Sequence, residues 1–571
     1  MSGRLGPDEH AAAWDRLAGG HVEVLVIGGG VTGAGAALDA TTRGLSTALV
    51  EARDFASGTS SRSSKLFHGG LRYLEQLDLP LVREALRERE LMLTSLAPHL
   101  VTPVSFLYPL THRAWERAYV GAGLALYDRL GGRSSLPRAQ HLTRTRARAL
   151  APALRPDALV GAVRYYDAQC DDARHTMTLV RTAAAHGAVV RSSTEVVGLL
   201  RDGDRVVGAV LRDVETDRQC EVRADVVLNC TGVWTDDVQH LSGDRGRFRV
   251  RASKGIHLLV PRDRINADTG MILRTEKSVL FVIPWGSRWI IGTTDTDWEL
   301  DKQSPAASRA DIEYLLEHVN AVLTTPLTRD DVVGVYAGLR PLLSGESEET
   351  SQLSREHAVA RSAPGLVSVA GGKYTTYRVM ARDAVDAAVE DLDRPVPESV
   401  TERVPLLGAE GFHALENRHA VVAAELGIPM WRLRRLLGRY GSLVHEVLAP
   451  AASDPSLLEP LVGAPEYLTA EVVHAVTHEG AIHLDDVLGR RTRVAIETAH
   501  RGTDSAWEVA RLMGPLLGWD EETARLEVTT YLGRVEAERA SQEEWEDVAA
   551  SAARVRARGS RGPRVVEPTL G

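Results

Sequence analysis

The chain has 571 residues, with 67 Lys and Arg set against 77 Asp and Glu for a formal net charge of −10. That length exceeds what one hydrophobic core sustains, so two or three domains are expected, and the acidic balance argues against general nucleic-acid binding, which needs a basic footprint. No run of about 18 apolar residues predicts a membrane span, no charged-then-apolar leader opens the chain, and Cys170, Cys220 and Cys230 lack any CxxC spacing, which suits a reducing cytoplasm without disulfides or a metal site.

Residues 1–20 are polar and read as a loosely attached lead-in. The apolar run 22–27 predicts a strand buried on both faces. It leads into Gly28-Gly29-Gly30-Val31-Thr32-Gly33 and a small-residue helix that Gly44 ends. This is G-x-G-x-x-G in the strand–turn–helix setting that gives the pattern meaning. Gly28 permits the tight turn, Gly30 lets the backbone approach a pyrophosphate, and Gly33 lets helix and strand pack closely. The helix N-terminus offers its N–H groups to that anion. A second strand, 47–50, ends at Glu51, where an acid meets a ribose hydroxyl. Together these features predict a dinucleotide site.

Residues 57–73 are dense in hydroxyls and glycines, as a loop around a large polar ligand would be; a flexible linker would leave Leu66, Phe67 and Leu71 exposed. Residues 80–97 predict an amphipathic helix with a solvated charged face. The aromatic-rich stretch 101–130 contains Gly121-Ala122-Gly123, which has neither the third glycine nor the preceding strand of a fingerprint. Segment 131–160 reads as irregular or short-helical. A helix follows over 173–186, then strands near 188–200 and 205–213, and a buried strand 225–229 ending in the small-residue turn Cys230-Thr231-Gly232. Strand signals dominate 247–345, as in a β-rich domain inserted into the first. One more strand, 366–370, runs into Gly371-Gly372-Lys373-Tyr374-Thr375-Thr376, which opens a helix to about 391. It is no phosphate loop, because that pattern needs Ser or Thr after the lysine. Beyond 395–397 the composition is helical, and the Arg-rich stretch 554–564 reads as a disordered basic tail.

Lysine occurs only at 65, 254, 277, 302 and 373, so 62 of the 67 cations are arginine. Where arginine is the default cation, a retained lysine hints that a compact ammonium matters.

These motifs together resemble the FAD-dependent glycerol-3-phosphate dehydrogenases. Residues 27–44 read I-G-G-G-x-x-G-x-G-x-A-x-D-x-x-x-R-G, and 371–381 read G-G-K-x-x-T-Y-R-x-x-A. The Ser-Ser-Lys…His-Gly-Gly-Leu-Arg-Tyr stretch at 63–73 is similar to theirs, as are 253–257, 335–342, 353–357 and the helical C-terminal region. The resemblance implies an α/β chain. A Rossmann-like FAD-binding domain would comprise 21–90, 160–245 and 357–395, and an inserted β-rich substrate domain 91–159 and 246–356. A C-terminal all-α domain would follow over 396–550, then a tail at 551–571. It also selects FAD over NAD, which the glycines alone leave open. Gly28, Gly30, Gly33 and Glu51 would hold the ADP half. Ser60, Ser61, Ser64, Lys65, His68, Gly69 and Gly70 would lie along the pyrophosphate and flavin. Gly372, Lys373, Thr375 and Thr376 would bring a second helix N-terminus to the isoalloxazine, where it could stabilise negative charge.

The implied reaction oxidises sn-glycerol 3-phosphate to dihydroxyacetone phosphate, with the C2 hydride going to the flavin. Family resemblance nominates Arg72, Tyr73, Arg340, Arg355 and Lys373 for the phosphate, since arginine offers a planar fork and lysine a point charge. His257 is the candidate base, having a side chain that titrates near working pH. Arg340 could instead steady the developing alkoxide. A membrane quinone would take the electrons, on the inner face of the cytoplasmic membrane, and a homodimer is compatible with the sequence. An anionic surface could be met by the basic tail or by Trp115, Tyr119 and Tyr127. Two alternatives stand beside this reading: an oxidase that passes electrons to oxygen, and a non-catalytic nucleotide-binding module.

Overall fold

The opening apolar run becomes strand His21–Ile27, central in a parallel array ordered Leu366–Gly371, Gln219–Asn229, His21–Ile27, Thr47–Val50, Val189–Arg191. This computed structural model describes residues 3–70, 78–112, 115–131, 135–243, 249–275, 279–343 and 357–557. Alternation along each strand divides its side chains between two cores. Val24, Val26, Leu228 and Val367 face the helices Val31–Thr42, Asp172–Ala185 and Tyr377–Val389. Leu25, Ile27, Ala48 and Val227 face the other way, against the hairpin Thr194–Asp202/Arg205–Asp213 and the helix Pro7–Leu17. Parallel strands covered on both faces read as unbroken apolar runs, which is why the sequence shows them clearly.

The second sheet has ten strands, ordered Thr296–Trp298, Val250–Pro261, Arg288–Gly292, Val279–Trp285, Gly270–Arg274, Val101–Leu110, Gly161–Cys170, Leu66–Phe67, with Gly334–Leu343 and Gln140–Thr143 attached at the sides. Helix Arg309–Asn320 covers one face through Ile312, Leu315 and Val319. Helices Leu79–Leu91 and Trp115–Leu130 pack on the other through Leu86, Leu124 and Tyr127. From Phe412 to Val555 the chain is predominantly helical, around two further cores.

Buried ion pairs join this helical domain to the first. Arg490 and Arg491 both bind Asp54, Arg174 binds Glu479, and Arg493 lies 3.3 Å from Asp172. Removing one partner of such a pair typically costs about 3–5 kcal/mol, because the other is left charged and buried.

Four expectations shift. The lead-in is a docked helix: Ala13, Trp14 and Leu17 are buried, and Arg191 lies 4.8 Å over the Trp14 ring. Strand Gly161–Cys170, assigned from sequence to the nucleotide domain, pairs along its whole length with Val101–Leu110 in the second sheet. The charged face of the 80–97 helix is only partly solvated, since Glu88 is buried against Arg378 and Arg89 against Asp167. Within the supposed tail, Arg554 belongs to helix Asp547–Val555 and pairs with Glu538 at 3.1 Å; residues 558–571 lie outside the described residues. The three-glycine run and the strands around it stand as read.

Candidate active site

A cavity of about 1270 Å³ runs from the first glycine turn to the face of the second sheet. At its nucleotide end the wall is mostly backbone. Gly28 has φ +107, and a Cβ on Gly33 would lie 1.9 Å from the Gly28 carbonyl oxygen, so each must be glycine for the turn to exist. Gly30 differs. A Cβ there would meet only Ser60 Oγ, at 3.3 Å, so its bareness serves the cavity rather than the fold. Ser60 Oγ accepts from the Val31 amide at 2.9 Å, which turns its own hydroxyl hydrogen outward as a donor. Glu51 accepts from the amides of Gly29 (2.7 Å) and Arg53 (2.9 Å), one on each oxygen. The carboxylate is thereby fixed, with lone pairs left for ribose hydroxyls. A bare backbone cradle, an oriented acid and a hydroxyl donor fit the ADP half of FAD.

The other end is made by register. Strands Val250–Pro261 and Gly334–Leu343 pair antiparallel with Ser253 opposite Arg340 and His257 opposite Tyr336. Alternation then puts Ser253, Gly255 and His257 on one face with Tyr336, Gly338 and Arg340. The Tyr336 ring stacks on the His257 imidazole, centroids 4.7 Å apart and planes within 12°. Two glycines keep room for these groups. A Cβ on Gly255 would lie 2.4 Å from Arg340 Nη2, and one on Gly292 would lie 2.4 Å from the His257 ring. Arg340 donates to Thr293 Oγ1 at 3.0 Å and to the Thr294 carbonyl at 3.1 Å, and its Nη1 lies 3.3 Å from Asp295 Oδ1. The guanidinium is oriented before any ligand arrives.

His257 Nε2 shares a 2.9 Å hydrogen bond with Ser64 Oγ, while Nδ1 is buried with no partner among the described residues. Burial first, then the charges of Arg340 and Lys65, hold its pKa well below the usual imidazole value. The ring is therefore neutral at pH 7 and able to take a proton. Thr375 Oγ1 accepts from the His68 amide and donates to the His68 carbonyl, both at 3.2 Å. That bond ties the 57–70 loop to the turn before helix Tyr377–Val389, next to Lys373 on the cavity wall.

Of the residues nominated from sequence, Gly28, Gly30, Glu51, Ser60, Ser64, His68, Gly70, His257, Arg340, Gly372, Lys373 and Thr375 line this cavity. Gly33 lies beneath the turn. Ser61, Lys65, Gly69 and Thr376 do not reach the cavity wall. Lys65 has φ +58 and turns away, its Nζ 2.7 Å from Asp172 and over the Tyr336 ring at 5.0 Å. The Ser61 carbonyl accepts from Arg493, the Gly69 amide donates to Tyr127 Oη, and Thr376 is buried. Arg72, Tyr73 and Arg355 lie outside the described residues. Sequence reading missed Tyr336 and Asp295. Tyr336 had a signal, its even spacing from Arg340 along one strand; Asp295 had none, since only folding brings it to the guanidinium. Glu446, His474 and His478 gather potential metal-ligand atoms within 4.8 Å. Arg181, however, donates to Glu446 at 2.9 Å and lies 3.4 Å from His474 Nε2, so a guanidinium already serves that cluster.

A family model described as FAD dependent oxidoreductase matches residues 23–378, and one described as the C-terminal domain of alpha-glycerophosphate oxidase matches 399–524. The chain is 62% identical over 564 residues to glycerol-3-phosphate dehydrogenase 2 of Mycobacterium tuberculosis (strain ATCC 25618 / H37Rv), covering 99% of this chain and 96% of that one. It is 37% identical over 533 residues to the mitochondrial glycerol-3-phosphate dehydrogenase of Homo sapiens, covering 88% and 72%. Among solved structures, the glycerol-3-phosphate dehydrogenase from Bacillus halodurans complexed with FAD superposes with a TM-score of 0.78 at 30% identity, over 93% of this chain and 98% of that one.

Proposed function

We propose a reaction on one premise: the chain belongs to the family of FAD-dependent glycerol-3-phosphate dehydrogenases. The reaction is oxidation of sn-glycerol 3-phosphate to dihydroxyacetone phosphate. FAD, when bound, supplies the acceptor for the C2 hydride. The observation that carries the reading is the strand pair that sets neutral His257 and charged Arg340 on one face of the cavity.

Each remaining task falls to a residue of this chain. Arg340 and Lys373 bring positive charge to the phosphate, with Arg72, Tyr73 and Arg355 as further nominees. His257 takes the proton of the C2 hydroxyl, directly or by way of Ser64 Oγ. Tyr336, stacked on the imidazole, limits its rotation, and Asp295 holds Arg340 in place. Ile272 and Phe281 add apolar surface to the cavity wall.

A quinone is the acceptor we favour, met at a membrane surface. No helix among the described residues is long and apolar enough to span a bilayer. Helix Trp115–Leu130 nonetheless exposes Trp115 (58%) and Tyr119 (53%), side chains suited to an interface, whereas Tyr127 is core. Oxygen is the second reading, supported by the oxidase named for the C-terminal family model. One assay separates them. With glycerol 3-phosphate, dye reduction and little peroxide supports the dehydrogenase, and stoichiometric peroxide the oxidase. No oxidation of glycerol 3-phosphate would overturn both.

A further inference from the structure

A second cavity, of about 390 Å³, lies where the three domains meet. Arg62 enters it from the 57–70 loop, Ala306 from the domain of the second sheet, and Arg490, Tyr531 and Arg554 from the helical domain. Six arginines and five carboxylates line it. Every one of those acids is already engaged. Asp54 is held by Arg490 and Arg491, Asp485 by Arg490 and Arg534, and Asp486 by Arg490. Glu538 is held by Arg501, Arg534 and Arg554, and Glu527 by His483.

Arg62 is left over. Its guanidinium has no hydrogen-bond or carboxylate partner at contact distance among the described residues, and Asp485 acts on it only from further away. Burial first, then the like charges of Arg53, Arg554 and Arg490, push its pKa down to about 9, so it is still a cation at neutral pH. A half-buried guanidinium set among other guanidinium groups, with no carboxylate of its own, is poised to take an anion. Hydroxyls of Ser57 and Ser304 are at hand in the same wall to share the remaining oxygens of a tetrahedral anion.

We propose that this second cavity is a binding site for a phosphate group, free or carried on a small monoester, with Arg62 as its principal cation. The planar fork of arginine matches two phosphate oxygens at once, and the cavity has space for an organic body beyond the phosphate. Its position gives the site reach. Arg62 stands in the partition between the two cavities, two residues from Ser60, which caps Val31, and two from Ser64, which holds His257. An anion on Arg62 ties that loop to the helical domain and steadies both ends of the larger cavity. The site is independent of which acceptor takes the electrons.

The test is calorimetric titration of the FAD-loaded enzyme with inorganic phosphate, and separately with glycerol 2-phosphate, at constant ionic strength. An Arg340→Gln background weakens binding at the substrate end. In that background phosphate binding should persist, and adding Arg62→Gln should weaken it at least tenfold. Arg62→Lys should recover part of it. Glycerol 2-phosphate binding more tightly than phosphate would place a monoester in the cavity; the reverse order would make the free ion its occupant. Equal phosphate binding with and without Arg62 would overturn the proposal, as would loss of all phosphate binding in Arg340→Gln alone. Should Arg62→Gln shed its flavin, the melting temperature of Arg340→Gln in rising phosphate decides, since a ligand of the folded state must raise it. No rise beyond that given by chloride at the same ionic strength would likewise end the idea.

Discussion

The two ends of the large cavity are built by different means. The nucleotide end is a continuous piece of backbone, in which Gly28 to Gly33 form the turn and Glu51, one strand later, accepts two amides. The reaction end is a set of side chains from four separate places. His257, Arg340, Asp295 and Ser64 meet because two antiparallel strands pair in one register and a loop crosses them. A backbone site tolerates side chains that leave both the chain's path and the cavity it lines alone. A register site fails if one strand slips by a single residue, since every side chain then changes face.

The largest expected effects separate cavity from fold within the first end. Gly30→Val should give folded but colourless protein, because Gly30 is extended (φ −76) and a Cβ meets only Ser60 Oγ. Gly33→Ala should not accumulate as folded protein at all, with its Cβ 1.9 Å from a carbonyl oxygen. Flavin absorbance and circular dichroism check both; a yellow, active Gly30→Val would mean the pyrophosphate lies elsewhere.

At the second end, His257→Ala should lower turnover by about 10²–10⁴-fold while leaving FAD bound, the usual range for a general base. Activity of the parent enzyme should fall only as pH drops below the ordinary imidazole range, because the folded pKa is depressed and the neutral ring is the active form. The variant should lack that acid limb, and near-normal turnover would reduce His257 to a packing residue.

Smaller losses should follow from Arg340→Ala and Lys373→Ala. Removing one charge-assisted contact costs about 1.5–3 kcal/mol, or roughly ten- to a hundredfold in kcat/KM. Flavin content should hold, and glycerol, lacking a phosphate, should be turned over poorly by parent and variants alike. Equal losses on both compounds would show that these cations do not read the phosphate.

The last effect concerns stability rather than turnover and tests the scaffold behind both ends. His99 and His175 are buried, and burial pushes each down to about 3. Their folded forms bind fewer protons than the unfolded chain below about pH 6.5, so stability falls as pH is lowered through that value. At pH 5 each contributes a loss of about 2 kcal/mol. Denaturant midpoints at pH 7 and pH 5 should differ accordingly, and the gap should narrow in His175→Leu. An unchanged gap would show that His175 stays charged in the fold.

The contrast between the two ends also explains what the sequence could disclose. Gly28, Gly30, Gly33 and Glu51 are legible because their roles follow from short spacing around one strand and one helix. His257 and Arg340 were nominated through resemblance, but their shared face and the stacking of Tyr336 depend on a register between strands about 80 residues apart. The serine-rich loop shows the limit from another side. Ser60 and Ser64 face the cavity while Ser61 and Lys65 turn from it, because the loop twists through a short 3-10 turn and Lys65 takes φ +58. Residue type and order do not encode that sidedness. The lead-in was misread because polar composition hid the 13, 14, 17 spacing that buries one face of a helix.

The order of the parallel sheet bears on how the protein is made. Strand His21–Ile27 leaves the ribosome early, yet one neighbour, Gln219–Asn229, follows about 190 residues later, and Leu366–Gly371 beyond it comes later still. At roughly 5–20 residues per second, the first apolar strands wait on the order of half a minute for the last of their sheet. Through that interval a sticky, unfinished edge is exposed in a crowded compartment. Synthesis of this enzyme should therefore depend on chaperone occupancy of the nascent chain, and slowing translation ahead of residue 366 should lower the yield of soluble protein more than the same pause placed after it.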